Sequence, residues 1–165
     1  MSGSREELTY FIKGSSPDPY IVQISLSPFS ISCTCVAAGH NVPCKHRTII
    51  LQGGDPGIIK GDTSKLTSVN EAAEASGVFG LLNDYDSAKS AEKFASSLSD
   101  KAFKKYRDAR LRLLQGQLKT DKVVVKAMGE LDASIEALVP AIEKTKAAQK
   151  ALGEVYMPSY MEAAR

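Results

Sequence analysis

Apolar and polar residues alternate along the first quarter of the chain, and the period changes after it. Tyr20, Val22, Ile24 and Leu26 are interleaved with Gln23, Ser25 and Ser27. Phe29, Ile31, Cys33 and Cys35 are interleaved more strictly with Ser30, Ser32 and Thr34. A period of two predicts half-buried strands. A shorter β-prone run covers 10–13, and Gly14-Ser15-Ser16-Pro17-Asp18-Pro19 supplies turn chemistry between it and the next run. Ser27-Pro28 separates the two strict alternations. Side chains two apart on a strand share a face, so Cys33 and Cys35 point the same way as Phe29 and Ile31. Residues 36–43 read as a loop. Residues 44–52, with Ile49, Ile50 and Leu51, read as a short helix stopped by Gly53-Gly54.

The stretch 53–67 has the glycine, aspartate and proline content of a linker or long loop. Beyond it Ala, Lys, Leu and Glu dominate, and helices are expected. One lies near 69–76, followed by an apolar loop with Val78, Phe79, Leu81 and Leu82. A second runs from about Asp86 to about Gly116. A third starts at the capping residues Thr120 or Asp121. The third repeats Val124, Met128, Leu131, Ile135, Leu138 and Ile142 in steps of four and three, a seam shorter than a coiled coil requires. Pro140 inside it predicts a kink. The expected fold class is α+β: a small antiparallel β-sheet plus a short helix, then an α-helical hairpin or bundle. The expected divisions are 1–54, a linker at 55–68, and a helical region at 69–165, with a self-associating helical stalk as the alternative for the last.

Composition narrows the class without naming a partner. Hydrophobic residues are 43% and charged residues 24%, as in soluble globular chains. No apolar run has the length of a bilayer span, and the first residues lack the apolar core of a secretory signal. The expected compartment is therefore a reducing cytoplasm, or the nucleus in a eukaryote, with no membrane partner. The net charge of +2 is uninformative, but its distribution is not. Between 100 and 126 stand nine basic residues, Lys101, Lys104, Lys105, Arg107, Arg110, Arg112, Lys119, Lys122 and Lys126, against Asp100, Asp108 and Asp121.

The cysteines carry the sharpest signal. All three fall between 33 and 44, an odd and clustered set unlike a disulfide framework. With His46 they form Cys33-x-Cys35, eight intervening residues, then Cys44-x-His46. Zinc takes four tetrahedral ligands from thiolate sulfur and imidazole nitrogen, so Cys33, Cys35, Cys44 and His46 are the expected Zn2+ ligands. Three buried thiols packing as small hydrophobes would leave the Cys-x-His unexplained. His40 lies in the loop as an alternative to His46, which the strand-loop-helix order favours. Four protein ligands close the shell, which speaks against a metal-activated water. Three thiolates and a neutral imidazole leave the site at formal charge −1, suited to a helix N-terminus and to neighbouring Lys45 and Arg47.

Cys-x-Cys, a variable loop and Cys-x-His, with strands before and a short helix after, resembles a SWIM zinc finger over about 8–54. That resemblance implies a DNA-binding or protein-interaction module of the kind appended to larger enzymes. It favours a non-enzymatic nucleic-acid-binding accessory role, DNA above all. The candidate contacts are Lys45, Arg47, Lys101, Lys104, Lys105, Arg107, Arg110 and Arg112, whose cations can neutralise phosphates. The alternative is a protein-interaction adaptor or homo-oligomer, with the apolar tail 155–161 as a docking segment. No Ser/His/Asp set, phosphate-cradling glycine motif or paired-carboxylate motif is present, so neither an enzymatic role nor a small-molecule substrate is expected.

Overall fold

The computed structural model describes residues 6–40, 42–118 and 120–156. Three strands come first: β1 (Glu7–Ile12), β2 (Tyr20–Leu26) and β3 (Phe29–Cys33). The one-turn helix α1 (Val36–Gly39) and α2 (Lys45–Leu51) follow, then β4 (Ile58–Lys60), a 3-10 turn (Thr63–Lys65) and α3 (Leu66–Ser76). Two long helices complete the chain, α4 (Val78–Leu114) and α5 (Lys122–Tyr156). The α+β class expected from the sequence is the one observed.

The sheet is antiparallel in the order β3-β2-β1-β4. Its register follows the alternation: Tyr10 pairs with Val22, Leu8 with Ile24, and Ile24 with Ile31. Tyr10, Ile12, Val22, Ile24 and Ile31 are buried, as are Ile50 and Leu51 of α2 and Val69 and Ala73 of α3. The core is thus one sheet face covered by α2 and α3, the arrangement a half-buried strand pattern demands.

The stretch 55–68, read from sequence as a linker, contains β4 and the 3-10 turn. Asp55 Oδ1 accepts from the backbone N–H groups of Gly57 (2.8 Å) and Ile58 (2.6 Å), which sets the turn before β4. The Tyr10 hydroxyl donates to the Asp62 carbonyl at 3.0 Å. Gly61 sits at φ 139°, where a Cβ would lie 2.5 Å from the Tyr10 ring and 3.0 Å from the Thr9 carbonyl oxygen. Local composition reads this segment as loop; pairing with β1 makes it a strand.

The described residues divide into two compact units. One runs up to Asn83 and includes the segment from Gln149 onward; the other is Asp84–Ala148. The expected apolar loop at 78–82 is instead the first turn and a half of α4. Gly77, at φ 76°, ends α3 in a left-handed turn, and α4 begins at the next residue. That lets Val78, Leu82 and Tyr85 be buried at helical spacing.

Within the second unit α4 and α5 form the expected hairpin, but its seam differs in composition from the expected one. The half-buried and buried positions of α5 in this unit are Val124, Ala127, Glu130, Leu131, Ser134, Leu138, Ala141, Ile142, Thr145 and Ala148. On α4 they are Tyr85, Ala88, Glu92, Ala95, Ser96, Ser99, Ala102, Tyr106, Ala109 and Leu113. Met128 and Ile135 are 51% and 45% exposed. The α-helix is continuous through Pro140. Thr120 Oγ1 accepts the Lys122 N–H at 3.0 Å, so the helix start falls where its capping residues placed it. Among the described residues no helix is long and apolar enough to cross a membrane.

Gly61→Ala forces an L side chain into a strained backbone region and against the Tyr10 ring. We expect a loss of about 1–3 kcal/mol in the first unit. Near-ultraviolet circular dichroism during urea unfolding checks it, with the far-ultraviolet helical signal of α4 and α5 nearly unmoved.

Candidate metal centre

Extended backbone delivers the first two ligands. Cys33 ends β3, and Thr34 continues the pairing: its N–H donates to the Ile21 carbonyl at 3.0 Å, and its Oγ1 accepts the Ile21 N–H at 2.9 Å. Cys35 is still extended, at φ −71° and ψ 158°, so both thiols stay on the core side while Thr34 faces outward. The chain then turns in α1, where the Gly39 N–H donates to the Cys35 carbonyl at 3.2 Å and the Val42 N–H to Ala37 at 3.1 Å. The expected loop is therefore a helical turn that reverses the chain.

Cys44 is the N-cap of α2, and its Sγ accepts the Arg47 N–H at 3.5 Å. His46 lies in the first turn, with Nδ1 3.8 Å from Cys33 Sγ, and the Tyr20 ring packs against the imidazole at 5.0 Å between centroids. The ligand atoms of Cys33, Cys35, Cys44 and His46 all lie within 4.8 Å of one another, and all four residues are buried. Zinc–sulfur and zinc–nitrogen bonds of about 2.3 and 2.0 Å imply tetrahedral edges of about 3.5–3.8 Å. The cluster needs to contract by only about 1 Å to meet them. No family model, curated protein or solved structure matches this chain. The metal assignment therefore stands on geometry and donor chemistry: four buried soft and borderline donors suit zinc and leave no ligand position for water.

Electrostatics prepare the cluster for a cation. The Cys44 thiol is drawn down to about 4, first by its hydrogen bond with Cys33. Against burial, the Arg47 N–H and the Arg47 charge lower it further. Cys33 is pushed up by the same bond to Cys44 and by burial. Cys44 therefore releases its proton before Cys33 does, and it does so at a helix N-terminus.

His40 is exposed, outside the cluster, and its carbonyl accepts from Gln149 Nε2 at 3.0 Å. Lys45 is exposed beside the ligands, as expected. Arg47 is not on the surface where a phosphate contact was expected. It is 1% exposed, its Nη2 donates to the Val42 carbonyl at 2.6 Å, and its guanidinium carbon stands 4.1 Å from the centre of the Tyr156 ring. A buried cation needs compensation. Here it has a carbonyl, an aromatic face and the Cys44 thiolate, and a zinc centre of formal charge −1 would complete the balance. Arg47, Tyr20 and Tyr156 are the site residues that spacing does not reveal. Tyr156 is distant in sequence, and a basic residue beside a ligand looks alike whether it turns in or out.

The other basic candidates lie on the second unit. Lys101, Lys104, Arg110 and Arg112 are exposed on the C-terminal half of α4. Lys105 is ion-paired with Glu130, and Arg107 approaches Asp108 at 3.5 Å. Lys122 and Lys126 are exposed at the start of α5. Lys119 and the tail 157–161 lie outside the described residues.

We expect one zinc per chain by mass spectrometry under native conditions, and none with Cys44→Ser. Removing zinc with a strong chelator should abolish the near-ultraviolet signal of the first unit while most far-ultraviolet helicity remains. Arg47→Lys keeps the charge but loses the planar contact with Tyr156 and the fork to Val42. It should cost about 1–3 kcal/mol in urea unfolding while leaving zinc stoichiometry at one.

Proposed function

We propose that this chain is a SWIM-type, zinc-clamped and non-enzymatic nucleic-acid-binding module, with DNA as its expected ligand. The ligand order Cys-x-Cys then Cys-x-His, set on a strand end and a helix start, supports the SWIM reading. The closed four-donor shell supports a structural role for the ion, because it offers no site for a reactive water.

The observation that carries the binding proposal is the basic end of the α4–α5 hairpin. Lys101, Lys104, Arg107, Arg110 and Arg112 are exposed on the last turns of α4, next in the chain to the loop that joins α5. Lys122 and Lys126 are exposed on the first turns of α5. Antiparallel helices bring those two stretches to one end of the hairpin, and the basic excess with them. The charges are distributed around α4 and hold no bidentate base-reading pair in view, so binding acts on the phosphate backbone with little sequence preference. Lys45 adds a cation on the finger. Arg47 is excluded, because its charge is spent inside the fold.

Electrophoretic mobility shifts with zinc-loaded protein test the reading. Affinity for a random-sequence duplex should fall steeply with salt. Lys101→Glu with Arg112→Glu should weaken binding at every sequence and reduce the log-log salt slope by about 2. Absence of any shift at low salt overturns the proposal.

A further inference from the structure

The α4–α5 hairpin has two long faces beside its seam. Lys105 and Glu130 meet across one of them. The other face carries Phe103, Leu114, Val125, Met128, Ile135 and Val139, at 54%, 74%, 63%, 51%, 45% and 55% exposure. On α5 these fall in a second heptad stripe, Val125, Met128, Asp132, Ile135, Val139 and half-buried Ile142, running beside the buried one. A lone two-helix hairpin leaves most of its own seam half-exposed, as this one does, and pairs of such hairpins bury the remainder as four-helix bundles.

We propose that this face binds a second copy of the same chain, the two hairpins lying side by side and pointing the same way. The proposal rests on a different observation from nucleic-acid binding, and it takes Lys104, Arg107 and Arg110 into the interface, which leaves Lys101, Arg112 and Lys126 for phosphate. Its occupant is fixed by charge. The α5 side of the face carries Asp132, Glu136 and Glu143 against Lys122 and Lys146, a small acidic excess. The α4 side is basic, with Lys93, Lys104, Arg107 and Arg110 against Asp86 and Asp100. A two-fold axis parallel to the helices sets each α5 against the α4 of the other copy, antiparallel to it, so the acidic side of one meets the basic side of its twin.

The proposed register places Asp132 opposite the partner's Arg107 and Glu136 opposite the partner's Lys104. Ile135 meets the partner's Phe103, and Val125 meets the partner's Leu114. Three layers are mismatched: Val139 against the partner's Asp100, Met128 against the partner's Arg110, and Lys146 against the partner's Lys93. The named positions span about 32 Å, and a width of two helix diameters gives about 650 Å² a side, the lower end of specific interfaces. Pointing the same way, the two copies bring both basic ends together. Lys101, Lys105 and Arg112 of each remain outside the interface.

Sedimentation equilibrium of the full-length, zinc-loaded chain without nucleic acid tests this. A dimer that dissociates on dilution is expected. Asp132→Arg and Arg107→Asp should each weaken it by at least about tenfold, and the two together should restore it. Asp100→Leu removes one mismatched layer, that of Val139, and should tighten the dimer, an effect that damage to the fold cannot mimic. Far-ultraviolet circular dichroism confirms that each variant keeps its helices. A monomer mass throughout the concentration range, a double variant no tighter than the single ones, or an Asp100→Leu variant with weaker association overturns the proposal.

Discussion

The first unit depends on a tie between the end of β3 and the start of α2. Cys33 and Cys35 leave the sheet on its core side, and Cys44 and His46 enter α2 facing them, with all four donor atoms within 4.8 Å. The buried core of the unit is a strip of Tyr10, Ile12, Val22, Ile24 and Ile31 under Ile50, Leu51, Val69 and Ala73, with Ala38, Leu66, Val78, Leu82, Leu152 and Tyr156 beside it. A core of that size lies near the limit for independent folding. A structural zinc supplies on the order of 10 kcal/mol to small modules, enough to decide whether the sheet and helix stay joined. The rest of the unit is arranged to accept a net anionic centre, with a helix N-terminus pointing at Cys44 and a buried guanidinium close by.

Arg47 is where the clamp extends beyond its ligands. A cation buried at 1% exposure needs partners within reach, and those it has are distant in sequence: the Val42 carbonyl in the reversing loop and the ring of Tyr156 at the end of α5. Gln149 adds a second contact from α5 to the same loop through the His40 carbonyl. The charge of the metal site thus reaches the last turns of α5 through one side chain. This is also why Lys45 and Arg47, neighbours of the same ligand, take opposite roles. Position 45 points to water and keeps its charge available, while position 47 faces inward.

The sheet and the ligand cluster were legible because their signals are short-range. Alternation fixes which face a thiol takes, and Cys-x-Cys fixes two ligands on it. Thr120 and Asp121 marked the start of α5 for the same reason. What escaped was set by contacts across the chain. β4 looks like linker until β1 pairs with it, and the break between α3 and α4 depends on one glycine in a left-handed conformation. Four of the six residues expected in the α5 seam, Val124, Leu131, Leu138 and Ile142, are half-buried, and two are not. The larger apolar residues suggested Met128 and Ile135, yet the hairpin buries Ala127 and Ser134. Hydrophobicity marked a second stripe as strongly as the first, and only the position of α4 tells them apart.

That second stripe bears on what the hairpin is. Long helices with Ala, Ser and Thr at alternate seam positions bury little apolar surface per residue, so packing against each other stabilises them weakly. Large side chains stand outside the seam, at Phe103, Leu114, Val125 and Val139, where a two-helix structure leaves them in water. Exposed apolar residues scattered singly need no explanation, but residues repeating at heptad spacing beside acids on one helix and bases on the next do. The two units therefore solve the same problem of a small core differently. The first brings four metal-binding donors together at one point, and the second leaves a stripe of large side chains in water.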